Sequence, residues 1–125
     1  MQEKRHNFLN LIIWKRAMDL TDLVFRYNKT IPPAERYNLF DQMNRSACSI
    51  PSNIAEGSGK RTKKQFAEFV SIALSSSFEL QTQLLICERR MYGKREDLEL
   101  CLSQATELQK MIFAFREKLE PKSDS

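Results

Sequence analysis

Four positive charges fall within five residues at Lys60-Arg61-Thr62-Lys63-Lys64. Ammonium and guanidinium groups at that density suit phosphate oxygens, and contacts of this kind weaken steeply as salt rises. The same run also reads as a solvated turn that keeps the surface charged. Gly57-Ser58-Gly59-Lys60 just before it superficially resembles a phosphate loop. It lacks the P-loop spacing and follows a helical pattern rather than a strand, so an NTP site is not expected. Other chemistries find less to work with. The single histidine is His6, ahead of the first helix, with Glu3 three residues before it. Di-iron bundles need two Glu-x-x-His pairs on facing helices, and a single histidine ahead of the first helix cannot supply them, so neither a metal nor a cofactor is expected. Cys48, Cys87 and Cys101 lie far apart, form no CxxC pair and are odd in number. They read as buried free thiols in a reducing compartment. Without a base beside any nucleophile, the chain is not expected to be an enzyme.

Positioning the basic run falls to helices. Four segments carry an apolar period of about 3.5 residues, separated by short breakers. The first runs from about Leu9 to Lys29 with the stripe Leu9, Ile13, Ala17, Leu20, Val24 and Tyr27; Asn7 or Asn10 can cap it. Pro32-Pro33 ends it. The second runs from Ala34 to Gly57 with Phe40, Met43, Ala47, Ile50, Ile54 and Gly57 in phase on both sides of Pro51. One helix kinked at Pro51 is predicted rather than two helices, with Gly57 or Gly59 as a left-handed C-cap. The third opens on Thr62-Lys63-Lys64-Gln65, a capping box. Its seam is Phe66, Val70, Ala73, Ser77, Leu80, Leu84, Cys87 and Met91, and Tyr92-Gly93 turns the chain. The fourth repeats the logic with Leu98, Cys101, Ala105, Leu108, Ile112, Phe115 and Leu119, ending at Pro121.

No segment alternates with period two, and short turns make neighbouring helices antiparallel. The expected fold is all-α: an up-down-up-down four-helix bundle over residues 1–121, with 122–125 a disordered tail. This topology places Lys4 and Arg5 at the same end as Lys60, Arg61, Lys63 and Lys64. The net charge of +4 is compatible with an acidic partner without requiring one. No apolar run approaches the ~20 residues of a membrane span. The first residues lack the apolar core of a signal peptide, so a cytoplasmic location is expected.

The outer faces carry more than one core can use. Opposite its stripe the second helix shows Arg45, Ser46, Ser49, Ser52, Asn53 and Glu56. Small polar residues permit close helix approach, and Arg and Glu can pair across a boundary. The third helix has a further stripe at Phe69, Ile72, Ser76, Glu79, Gln83 and Ile86, with Phe78 and Leu85 further round. A helix apolar beyond one face has a second packing partner, which predicts self-association.

Several blocks carry a family resemblance. Glu35-Arg36-Tyr37-Asn38-Leu39, then Gln42 and Arg45, then Ser49-Ile50-Pro51-Ser52-Asn53-Ile54-Ala55-Glu56-Gly57 closely resemble the 23S rRNA-intervening-sequence proteins, also called S23-like four-helix-bundle proteins. Trp14-Lys15, Ala17, Asp19-Leu20, Phe66, Phe69, Glu79-Leu80 and Thr82-Gln83-Leu84 extend the match over nearly the whole chain. The resemblance implies a bacterial bundle assembling as a homopentamer, with a biochemical role that is poorly defined. The family is also similar to the accessory proteins of diversity-generating retroelements, which bind nucleic acid and partner a reverse transcriptase. Expected partners are therefore other copies of the chain, RNA or DNA, and a reverse transcriptase or other protein. Arg36, Arg45, Ser49, Asn53, Glu56, Phe69, Ile72, Glu79 and Gln83 are expected at the oligomer interface or in structural roles. Leu74-Ser75-Ser76 stands where the family often has Arg-Gly-Ser, removing one charge. Lys60 stands where Arg is usual, keeping charge but losing bidentate geometry.

Overall fold

The computed structural model describes residues 7–120. His6, Lys4, Arg5 and the tail 122–125 lie outside them. After a 3-10 turn at Phe8–Asn10, the chain forms α1 (Ile12–Asn28), α2 (Asp41–Ser58), α3 (Lys63–Arg89) and α4 (Arg95–Leu119). Each helix packs on its sequence neighbours and α1 closes on α4. There is no strand among the described residues, and the architecture is a four-helix bundle.

The apolar stripes become the core. Ile13, Ala17, Leu20, Val24 and Tyr27 meet Met43, Ala47, Ile50 and Ile54, then Phe66, Val70, Ala73, Leu80, Leu84 and Cys87, then Leu98, Cys101, Ala105, Leu108 and Ile112. Each fully buried aliphatic side chain is worth about 1.5–3 kcal/mol against exposure, which is why the 3.5-residue period governs the fold. Two members of the expected stripes do not join. Leu9 is exposed because it sits on the 3-10 turn, whose cap is Asn7 (Oδ1 accepting from Leu9 N at 3.1 Å). Met91 lies past the end of α3 with φ +58° and is exposed.

Pro51 lies inside α2, which runs past it in phase. Proline cannot donate to the Ala47 carbonyl four residues back. Thr21 of α1 brings its hydroxyl 3.3 Å from that oxygen while bonding its own Ala17 carbonyl at 2.8 Å, so one proton is shared between the two. The backbone leaves helical dihedrals upstream, at Tyr37 (φ −99°, ψ 16°), within a π turn over Arg36–Phe40.

The connections are tied down by side chains. At the end holding the α1–α2 and α3–α4 turns, Tyr27 donates its hydroxyl to the Tyr92 carbonyl at 2.7 Å. Thr30 Oγ1 donates to the Tyr27 carbonyl (2.6 Å) and accepts from Lys94 N (2.9 Å). Gly93 makes this possible with φ +72°, and a Cβ there would meet Thr30 Oγ1 at 2.6 Å. At the other end Phe66 and Phe115 meet edge to face at 5.4 Å. Gly57 lets α2 and α3 approach: a Cβ there would lie 2.7 Å from Phe69 Cβ.

Candidate nucleic-acid interface

The basic run occupies the turn between α2 and the first turn of α3. Gly59 ends α2 with φ −88° rather than in the left-handed cap conformation expected of it, its N–H bonding the Glu56 carbonyl at 3.2 Å. Lys60 N follows onto the Gly57 carbonyl at 3.0 Å. Thr62 is extended and caps α3, its Oγ1 accepting from Gln65 N at 3.0 Å, which is half of the capping box.

Lys60, Arg61, Lys63 and Lys64 are all exposed. Among the described residues none of the four forms an ion pair. Lys60 holds its ammonium 5.0 Å from the Phe69 ring centre, a cation–π contact that fixes its stem without neutralising it. Lys63 and Lys64 stand in a first helical turn that contains no acidic residue. The helix macrodipole is positive there, so both lysines add to an unfavourable field that a bound anion would relieve. Two carboxylates temper it on one flank, where Lys64 shares a hollow with Glu68 and Glu120.

The other expected residues gather along the α2–α3 boundary and divide in two. Ser49, Asn53 and Gln83 are engaged within the chain. Ser46 donates to Gln83 Oε1 at 2.7 Å, the Ser49 and Ser76 hydroxyls are 2.8 Å apart, and Asn53 Nδ2 donates to the Ser49 carbonyl and hydroxyl at 2.8 and 2.9 Å. Ser46, Ser76 and Gln83 are buried, so half of what reads as an outer polar face is an inner polar seam. Arg36, Arg45, Glu56, Ile72 and Glu79 remain exposed. Phe69 is half-buried beneath Lys60. A furrow of about 420 Å³ lined by Gln42, Arg45, Ser46, Ser49 and Glu79 runs above the seam. Arg45 and Glu79 share it without pairing within the described residues. Two buried polar residues, Thr21 and Asn28, have no signal in the apolar period; both contact α2, Asn28 through Asn44 Oδ1 at 2.7 Å.

No group of three or more metal-ligating side chains gathers among the described residues. Burial pushes the Cys101 thiol up to about 12 and raises Cys87 in the same direction; a thiol so raised is not a nucleophile at neutral pH. Cys48 is exposed, contrary to the burial expected of it, because it lies on the outer side of α2. No described helix is long and apolar enough to cross a membrane.

Residues 9–114 match the family described as 23S rRNA-intervening sequence protein. The chain belongs to that family. The fold also matches a crystal structure of a protein with unknown function from the S23 ribosomal protein family of Bacteroides thetaiotaomicron. The TM-score is 0.77 at 21% identity, with 85% of this chain and 99% of that chain covered. No curated protein matches the chain. Membership fixes the architecture; the family description carries no reaction.

Proposed function

We propose that this 23S rRNA-intervening sequence protein is a non-catalytic cytoplasmic module that self-associates, as a pentamer by family resemblance, and binds RNA or DNA phosphates through its basic turn. The observation that carries the reading is the set of four exposed cations, Lys60, Arg61, Lys63 and Lys64, none ion-paired among the described residues, leading into a first helical turn that contains no acidic residue. That arrangement favours a polyanion through charge and dipole together, and it reads no bases. The raised Cys87 and Cys101 thiols are not poised as nucleophiles at neutral pH, in keeping with a binding role.

The test is a fluorescence-anisotropy titration of labelled RNA and DNA oligonucleotides at low salt, comparing wild type with a K60A/R61A/K63A/K64A variant. The variant is expected to bind roughly 10-fold or more weakly. Equal affinity for both proteins would move the function elsewhere. A second reading, a scaffold docking a reverse transcriptase or other protein, is favoured by the furrow holding Arg45 and Glu79. A partner captured equally well by the charge-neutralised variant would support it.

A further inference from the structure

Self-association, proposed above, leaves open which surfaces meet, and the furrow between α2 and α3 supplies one of them. Its floor is formed by Ser46 and Ser49, whose hydroxyls are engaged with Gln83 Oε1 and Ser76. Its rims carry Arg45 and Glu79, with Ile72 and Ile86 exposed along α3. Charges of both signs in one furrow disfavour a polyanion and suit a polypeptide surface.

The same chain carries a surface that fits. On the outer side of α1, Met18, Asp22 and Phe25 recur at spacings of four and three, and Met18 and Phe25 are 40% and 41% exposed. Asp22 has no ion pair among the described residues. Levels along the bundle can be read from its own hydrogen bonds. Thr21 meets Ala47 and Asn28 meets Asn44, while Gln83 meets Ser46 and Ser76 meets Ser49. Asp22 therefore lies level with Arg45, while Phe25 and Met18, about 10 Å apart along α1, both fall between Ile86 and Ile72, which are about 21 Å apart along α3. Rotation about an axis parallel to the helices preserves level, so copies related in this way bring like levels together. The α1 stripe and the furrow are different surfaces of the same copy, so a head-to-tail contact between them can be repeated from copy to copy around a closed ring.

We infer that the α2–α3 furrow of one copy receives the outer stripe of α1 from the next, with Arg45 paired to the neighbour's Asp22. This rests on the self-association reading. The experiment is sedimentation velocity on wild type, Arg45→Asp, Asp22→Arg and the R45D/D22R double variant, with circular dichroism confirming the bundle in each. Wild type is expected as a multiple of 14.7 kDa, each single variant shifted toward the monomer, and the double variant restored. Phe78→Ser, on the α3–α4 side, is expected to keep the wild-type mass. A monomeric wild type would overturn self-association itself. A wild-type oligomer that survives both single changes, stays broken in the double variant, or falls apart with Phe78→Ser would overturn this interface alone.

Discussion

Replacing Gly57 with Ala adds one methyl where α2 crosses α3, and the outcome is set by three distances. The new Cβ would lie 2.7 Å from Phe69 Cβ, 2.9 Å from Phe66 Cδ1 and 3.3 Å from the Phe66 carbonyl. The Phe66 ring can turn aside, but Phe69 Cβ is fixed to the α3 backbone. Reaching an ordinary carbon contact of about 3.5–4 Å requires the helices to part by roughly 1 Å. Parting strains the hydrogen bonds of the same boundary, 2.7 Å between Ser46 and Gln83 and 2.8 Å between Ser49 and Ser76. Overpacking of this kind costs about 1–3 kcal/mol, and the better helix propensity of Ala returns about 1 kcal/mol. The net expectation is a loss of up to about 2 kcal/mol, or up to roughly 8 °C in melting temperature for a chain of this size. Gly59 is the control, since a Cβ there meets only the Glu56 carbonyl at 3.7 Å. Gly59→Ala is expected to be neutral or to stabilise by up to about 1 kcal/mol. Thermal unfolding followed by circular dichroism reads both. Gly57→Ala melting above wild type, or as high as Gly59→Ala, would refute the close-approach reasoning.

Three further outcomes follow from named contacts. Thr21→Val removes the hydroxyl shared with the Ala47 carbonyl that Pro51 cannot serve. It is expected to cost about 1–3 kcal/mol in urea unfolding, with Thr21→Ser nearer wild type. In the native protein a thiol reagent is expected to modify exposed Cys48 quickly and buried Cys87 and Cys101 only on unfolding; three equally fast thiols would contradict the packing. Cys101 holds its proton in the fold up to about 12 against 9.0 for a free thiol. The stability it contributes is complete below pH 9 and declines as pH rises from about 9 toward 12, because only the unfolded chain releases the proton there. Urea midpoints measured from pH 8 to 11 are expected to fall, and to fall less in Cys101→Ala.

The bundle was legible because its core obeys one period: Leu20, Ala47, Leu80 and Leu108 are each where an apolar repeat requires burial. What that period cannot separate is a solvent face from a boundary between neighbouring helices. Ser46, Ser76 and Gln83 look like surface in the sequence, yet they bond one another's helices because α2 and α3 turn the same flank together. The π turn at Arg36–Phe40 also left no mark in the apolar pattern; within it Leu39 is buried while Phe40, the member of the expected stripe, is half-buried. Leu9 failed for a local reason, a 3-10 turn closed by Asn7 ahead of the first helix. The basic turn was plain in the sequence because four adjacent charges need no tertiary information. Its lack of ion pairs among the described residues and its place in an acid-free helical turn came only with coordinates.

The most direct test of the binding account is the salt dependence of RNA affinity in wild type and in the K60A/R61A/K63A/K64A variant. Each lost phosphate contact lowers the slope of log affinity against log salt by about 0.7–0.9, so removing four cations is expected to flatten it by roughly 3. An unchanged slope in the variant, or wild-type binding indifferent to salt, would contradict the assignment of nucleic-acid binding to this turn.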